Sequence, residues 1–171
     1  MMKLVGAAII LITTTWIGFE LARHLSERSK QLRLLKNGLQ TLEAEIMYGH
    51  TPLHEASRKI SNQLSVPISR LFHQFTHYLT TTETSVKAAW DMSLVDIKHQ
   101  TALKTTDFEI LQQFGETLGR HDRITQQKQI LLALSYLERE EEYARENQLR
   151  YEKMIKSLSF LSGLLLIILL L

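Results

Sequence analysis

From Arg123 to Ser162 the chain carries no glycine and no proline. At 1.5 Å of rise per residue that stretch makes a helix about 60 Å long, and no ordinary strand runs so far. A fold built on such an element is all-α. The remainder agrees, because 7 glycines and 2 prolines in 171 residues leave little turn material for a sandwich or barrel of short strands. With no cysteine, disulfides and thiolate metal sites are excluded.

Apolar residues step by three and four through the middle of the chain, which places them on one face of successive helices. Leu32, Leu35, Leu39, Leu42 and Ile46 form a coiled-coil-like seam that Gly49 ends. Thr51-Pro52 supplies an N-cap and a first-turn proline for a short helix carrying Leu53, Ala56, Ile60 and Leu64. A third stripe follows Pro67 (Ile68, Leu71, Phe72, Phe75, Leu79). A fourth follows a cap at Thr82 or Thr84 (Val86, Ala89, Trp90, Leu94, Ile97). Thr106 to Glu109 reads as a capping box before Phe108, Leu111, Phe114 and Leu118. Gly119 reads as a C-cap, and Asp122 caps the last helix, whose inner face is Ile124, Ile130, Leu131, Leu134 and Leu137. The expected architecture is a bundle of about six helices with long antiparallel first and last members. The first is basic at Arg23, Arg28, Lys30 and Arg33, and the last is acidic at Glu138, Glu140, Glu141, Glu142 and Glu146. Charge complementarity predicts that these two lie side by side, with Arg33 near Glu142. Two independent solvated faces are the alternative.

Both ends are apolar. No charge falls between Leu4 and Phe19 or between Leu158 and Leu171. The sequence therefore suggests transmembrane helices at 4–22 and 157–171 around a domain at 23–156. A cleavable signal peptide lacks a small-x-small site after it. A C-terminal helix packed in protein is the alternative to a second span. Arg23, Arg28, Lys30, Arg33 and Lys36 after the first run, and Arg139, Arg145, Arg150, Lys153 and Lys156 before the last, would place the middle domain in the cytoplasm.

Catalytic chemistry is hard to find. The phosphate-cradling G-x-x-x-x-G-K-[ST] and the G-x-S-x-G elbow are both missing. His73 and His77, and His50 and His54, stand four apart, a spacing that suits a metal but lacks the inner glutamate of a metalloprotease helix. His121-Asp122 reads as a helix cap rather than a catalytic pair. Glu43 and Glu45 flank the first seam, either exposed or as an acidic pair on a groove. Basic residues interleave with acidic ones and lack an aromatic platform, so nucleic-acid binding is not expected. The chain is read as a non-enzymatic protein with no cofactor. An interfacial metalloenzyme using His73 and His77 and a membrane-tethered strain sensor are the rival classes.

Gly49-His50-Thr51-Pro52-Leu53-His54-Glu55-Ala56 resembles the G-x-x-L-x-E-A element of the inner-membrane platform proteins of type II secretion and type IV pilus systems. Gly115-Glu116-Thr117-Leu118-Gly119 is similar to their G-E-x-x-G element. Those proteins usually carry two copies of the domain and three spans, whereas this chain has one copy. The single copy, with Trp16 to Glu20, Leu42 to Leu53 and Phe114 to Gly119, resembles the stage III sporulation protein AB family across essentially the whole chain. That resemblance implies a membrane platform in the secretion-like channel complex between mother cell and forespore. The platform would be multi-pass in the mother-cell membrane facing the forespore. It would link a cytosolic secretion-type ATPase and other stage III sporulation proteins to the channel, with membrane lipid and a second copy as further contacts. The alternative is a membrane-tethered helical signalling or scaffold protein unrelated to secretion. The candidate contact residues are Gly49, Glu55, Gly115, Glu116, Gly119, Glu141 and Glu142, and helix packing alone is the competing account of the glycines.

Overall fold

The structure, a computed structural model, describes residues 2–119 and 123–170. Six α-helices stand among the described residues: α1 (Met2–Ala44), α2 (Leu53–Gln63), α3 (Ile68–Thr81), α4 (Val86–Ile97), α5 (Thr105–Gly115) and α6 (Arg123–Leu170). A π-turn, Glu45–Gly49, closes α1, and a short 3₁₀ turn, Lys98–Gln100, follows α4. The chain divides into two units. One comprises Met1–Ser29 with Glu142–Leu171, and the other is Lys30–Glu141.

Within Lys30–Glu141 the sequence stripes become the core. Leu32, Leu35, Leu39 and Leu42 of α1 are fully buried, as are Ile60 of α2, Phe72 and Phe75 of α3, and Leu111 of α5. Trp90 of α4 is the hub. Its ring meets Phe72, Phe75 and Phe114 edge-on, with centroids 6.1, 5.0 and 5.6 Å away. Its indole N–H donates to the Leu111 carbonyl at 2.8 Å, so the only polar atom of the ring is satisfied where water cannot reach. On α6 the inner face is Gln126, Ile130, Ala133, Leu134 and Leu137. Ile124 and Leu131, expected inside, are exposed at 62% and 48%.

The α1 and α6 segments of this unit run antiparallel, since partners fall along α6 as they rise along α1. Arg33 Nε donates to Glu141 at 3.0 Å, Lys36 Nζ to Glu138 at 3.0 Å, and Gln127 Nε2 to Glu43 at 2.7 Å. The expected charge complementarity is present. Arg33, however, pairs with Glu141 rather than Glu142.

Several helix ends differ from expectation, each for a local reason. Gly49 does not take the left-handed conformation. His50 does, at φ 51°, with its N–H on the Glu45 carbonyl. Pro52, not Thr51, caps α2, its carbonyl accepting from the N–H groups of Glu55 and Ala56. Ser85 caps α4, its hydroxyl accepting from Ala88 N–H at 3.2 Å. At α5 the capping carboxylate is the buried Asp107, which accepts from Lys104 N–H at 2.8 Å. Gly119 is left-handed as expected, at φ 73°. His121 and Asp122 lie outside the described residues.

In the unit of Met1–Ser29 and Glu142–Leu171, Arg28, Ser29 and Ala144 are buried, while Trp16, Leu158 and Ile168 are exposed. The expected continuation of the bundle into two membrane spans is overturned. Among the described residues no helix is long and apolar enough to cross a membrane. Charge confines the apolar runs: 4–19 lies between Lys3 and Glu20, and 158–171 begins after Lys156. The first run rises only about 24 Å against a hydrocarbon core of about 30 Å. Thr13 to Thr15, and Ser159 and Ser162, dilute them further. The multi-pass placement in a mother-cell membrane and the spanning-platform role fall with the spans.

Candidate functional site

The two glycine-containing segments lie 59 positions apart, from Ala56 to Gly115, yet residues of both line one surface groove. Ile46 of the π-turn, His50, Thr51 and Pro52 of the following loop, Leu53 of α2, Gly119, and Gln126 of α6 line a concavity of about 240 Å³. The first five belong to or adjoin the Gly49–Ala56 segment, and Gly119 closes the Gly115–Gly119 segment. The lining combines the apolar side chains of Ile46, Pro52 and Leu53 with the polar side chains of Thr51 and Gln126.

Glu45 of the π-turn, Thr51 of the following loop and Lys59 of α2 set its shape. Thr51 N–H donates to the Glu45 carbonyl at 3.2 Å, and the Thr51 hydroxyl donates to the Glu45 carboxylate. Lys59 of α2 donates to both oxygens of that carboxylate, at 3.1 and 3.0 Å. The Thr51 hydroxyl and then the Lys59 ammonium hold the Glu45 carboxyl below its ordinary range. Glu43 and Glu45 are both half-buried and each is engaged, Glu43 by Gln127 and Glu45 by Thr51 and Lys59.

The candidate residues fall into distinct settings. A Cβ on Gly49 would lie 2.9 Å from both Glu45 Oε2 and Thr51 Oγ1, so this glycine admits that hydrogen bond. A Cβ on Gly115 would stand 2.3 Å from Trp90 Cδ1, in the heart of the core. Gly119 faces Val86 and carries the positive φ. Glu55 is exposed, 4.0 Å from His54 Nε2. Glu116 is exposed and 3.0 Å from Lys87 Nζ, which raises the Lys87 pKa, with Asp91 adding to it. Glu141 is held by Arg33 and Lys36, while Glu142 is exposed on α6. The structure thus brings Gly119 to the Gly49 turn and leaves Glu141 and Glu142 on a separate stretch of helix.

Of the seven groove residues only Gly119 stands among the candidate contact residues; Ile46, His50, Thr51, Pro52, Leu53 and Gln126 do not. The sequence signals were Ile46 in the first seam and His50 to Leu53 within the Gly49–Ala56 element; Gln126 carried none. His73 and His77 are exposed. Among the described residues no group of three or more His, Asp or Glu side chains is placed to hold a metal ion.

The family model for stage III sporulation protein AB matches residues 3–171. The stage III sporulation protein AB of Bacillus subtilis (strain 168) is 55% identical over 170 residues, covering 99% of each chain. A solved structure of a stage III sporulation protein AB (SpoIIIAB) is 52% identical. It superposes with a TM-score of 0.69 over 72% of this chain and 98% of its own.

Proposed function

The chain belongs to the stage III sporulation protein AB family, and from that premise we propose that it is an assembly component that docks a secretion-type ATPase within its sporulation complex. It is a non-enzymatic protein of that family and takes part in a sporulation complex. The finer assignment, to the ATPase and to the groove as its contact, is the proposal. Convergence carries it. Residues of two separated glycine segments line one concavity that mixes apolar side chains with hydrogen-bonding groups, a composition that suits a protein contact. Glu55 and Glu116 are exposed in the same two segments, outside the groove lining itself.

The test is capture of the tagged chain from sporulating cells, with and without the gene for the candidate ATPase, followed by protein identification. Co-purification of the ATPase, reduced by Glu55→Arg together with Glu116→Arg at unchanged thermal stability, supports the reading. Capture of the chain alone, or of itself only, refutes the ATPase assignment.

A further inference from the structure

We infer that Glu45, Thr51 and Lys59 form a polar latch that holds the segment lining the groove in its observed shape, making them positioning residues for the secretion-type ATPase proposed to dock there. The value of the latch to docking rests on the proposed reading of the groove; its existence does not. Glu45 sits in the π-turn and Lys59 two turns into α2, so their ion pair ties the end of one element to the body of the next. Thr51 lies between them and is gripped twice by Glu45, through its N–H and through its hydroxyl. The segment so fixed, 46–53, supplies five of the groove residues.

Three features of the sequence acquire one cause. The π-turn widens the end of α1 by one residue, and π-turns recur where backbone must be re-aimed for function. His50 accepts the left-handed conformation, unusual outside glycine, because the Glu45 carbonyl bonds both its N–H and that of Thr51. Gly49 is glycine because a methyl group would press on both ends of the Glu45–Thr51 hydrogen bond. None of these groups belongs to the buried core, so the latch can open without unfolding the helices. Lys59 is more than half exposed in its side chain, which leaves the latch reachable by a partner that competes for Glu45 or Lys59.

Amide hydrogen exchange on the full chain tests this directly. In Thr51→Val, Lys59→Met and Glu45→Gln the amides of His50 and Thr51 should exchange about tenfold faster or more, while amides of α3 and α4 around Phe72 and Trp90 stay as protected as in the parent. Unchanged exchange at His50 and Thr51 in Thr51→Val and Lys59→Met overturns the latch. So does loss of protection throughout the core, which would make these residues part of global stability. The same variants enter the ATPase capture. Faster exchange with undiminished capture keeps the latch and refutes the groove as the contact.

Discussion

Lys36 Nζ lies 3.1 Å from Glu141 Oε2, and both side chains are largely covered, at 16% and 14% exposure. Burial alone would lower the Lys36 pKa and raise that of Glu141. The hydrogen bonds from Lys36 to Glu138 and Glu141, and from Arg33 and Lys36 to Glu141, reverse both shifts. The pair therefore stays ionised and pins α1 to α6. A double-mutant cycle with Lys36→Ala and Glu141→Ala, followed by denaturant unfolding, should give a coupling of about 0.5–1 kcal/mol. It should change little in high salt, because both side chains of the pair are largely covered.

The same carboxylates set an acid limit. The folded-state pKa values of Glu141 and Glu45 lie below the ordinary 4.5. Their contribution is complete above the unfolded-state value and is lost as pH falls through the folded-state value. Unfolding curves should show stability falling below about pH 4.5. Glu141→Gln should flatten that dependence relative to the parent, most visibly because Glu141 is the more buried of the two.

Gly115→Ala should cost about 1–3 kcal/mol, since its Cβ would enter the space of the Trp90 ring, which is wedged among three phenylalanines. Thermal unfolding followed by Trp fluorescence reads both the loss and the displaced indole. An unchanged transition would mean that Trp90 can shift freely.

Gly119→Ala should cost about 1 kcal/mol through the left-handed backbone, with a further penalty from Val86 Cγ2 at 3.1 Å. Gly119→Asn, which tolerates that conformation better, should lose less in the same denaturant titration.

The apolar stripes were legible because burial selects residues at helical spacing, and Leu32 to Leu42, Phe72 and Trp90 obey it. Leu131 did not, because Ala133 rather than Leu131 faces inward and a leucine on either side of the inner face reads alike. The charge match of the first and last helices was legible in sign, but the register, Glu141 rather than Glu142, depends on how the helices are rotated. Helix ends were hardest. Thr51, Thr82, Thr84 and Ser85 are all competent caps, and choosing among them needs the tertiary partner, here the Glu45 carboxylate for Thr51. The apolar ends differ for another reason: interfacial and snorkelling flanks such as Ala22 and Lys156 do not make up the missing apolar length, and among the described residues no helix is long and apolar enough to cross a membrane. The groove itself joins residues that no local pattern connects.

The central claim is that the two glycine segments form one partner contact. Because the chain has no cysteine, a single cysteine reports one position. Pro52→Cys stands in the groove and Asn62→Cys stands on exposed α2 outside it. Each variant is to be treated with a short thiol-to-amine crosslinker in sporulating cells. The account predicts an adduct with the secretion-type ATPase from position 52 and none from position 62. An ATPase adduct from 62 alone, or no adduct from 52 while the ATPase is captured intact, would contradict it.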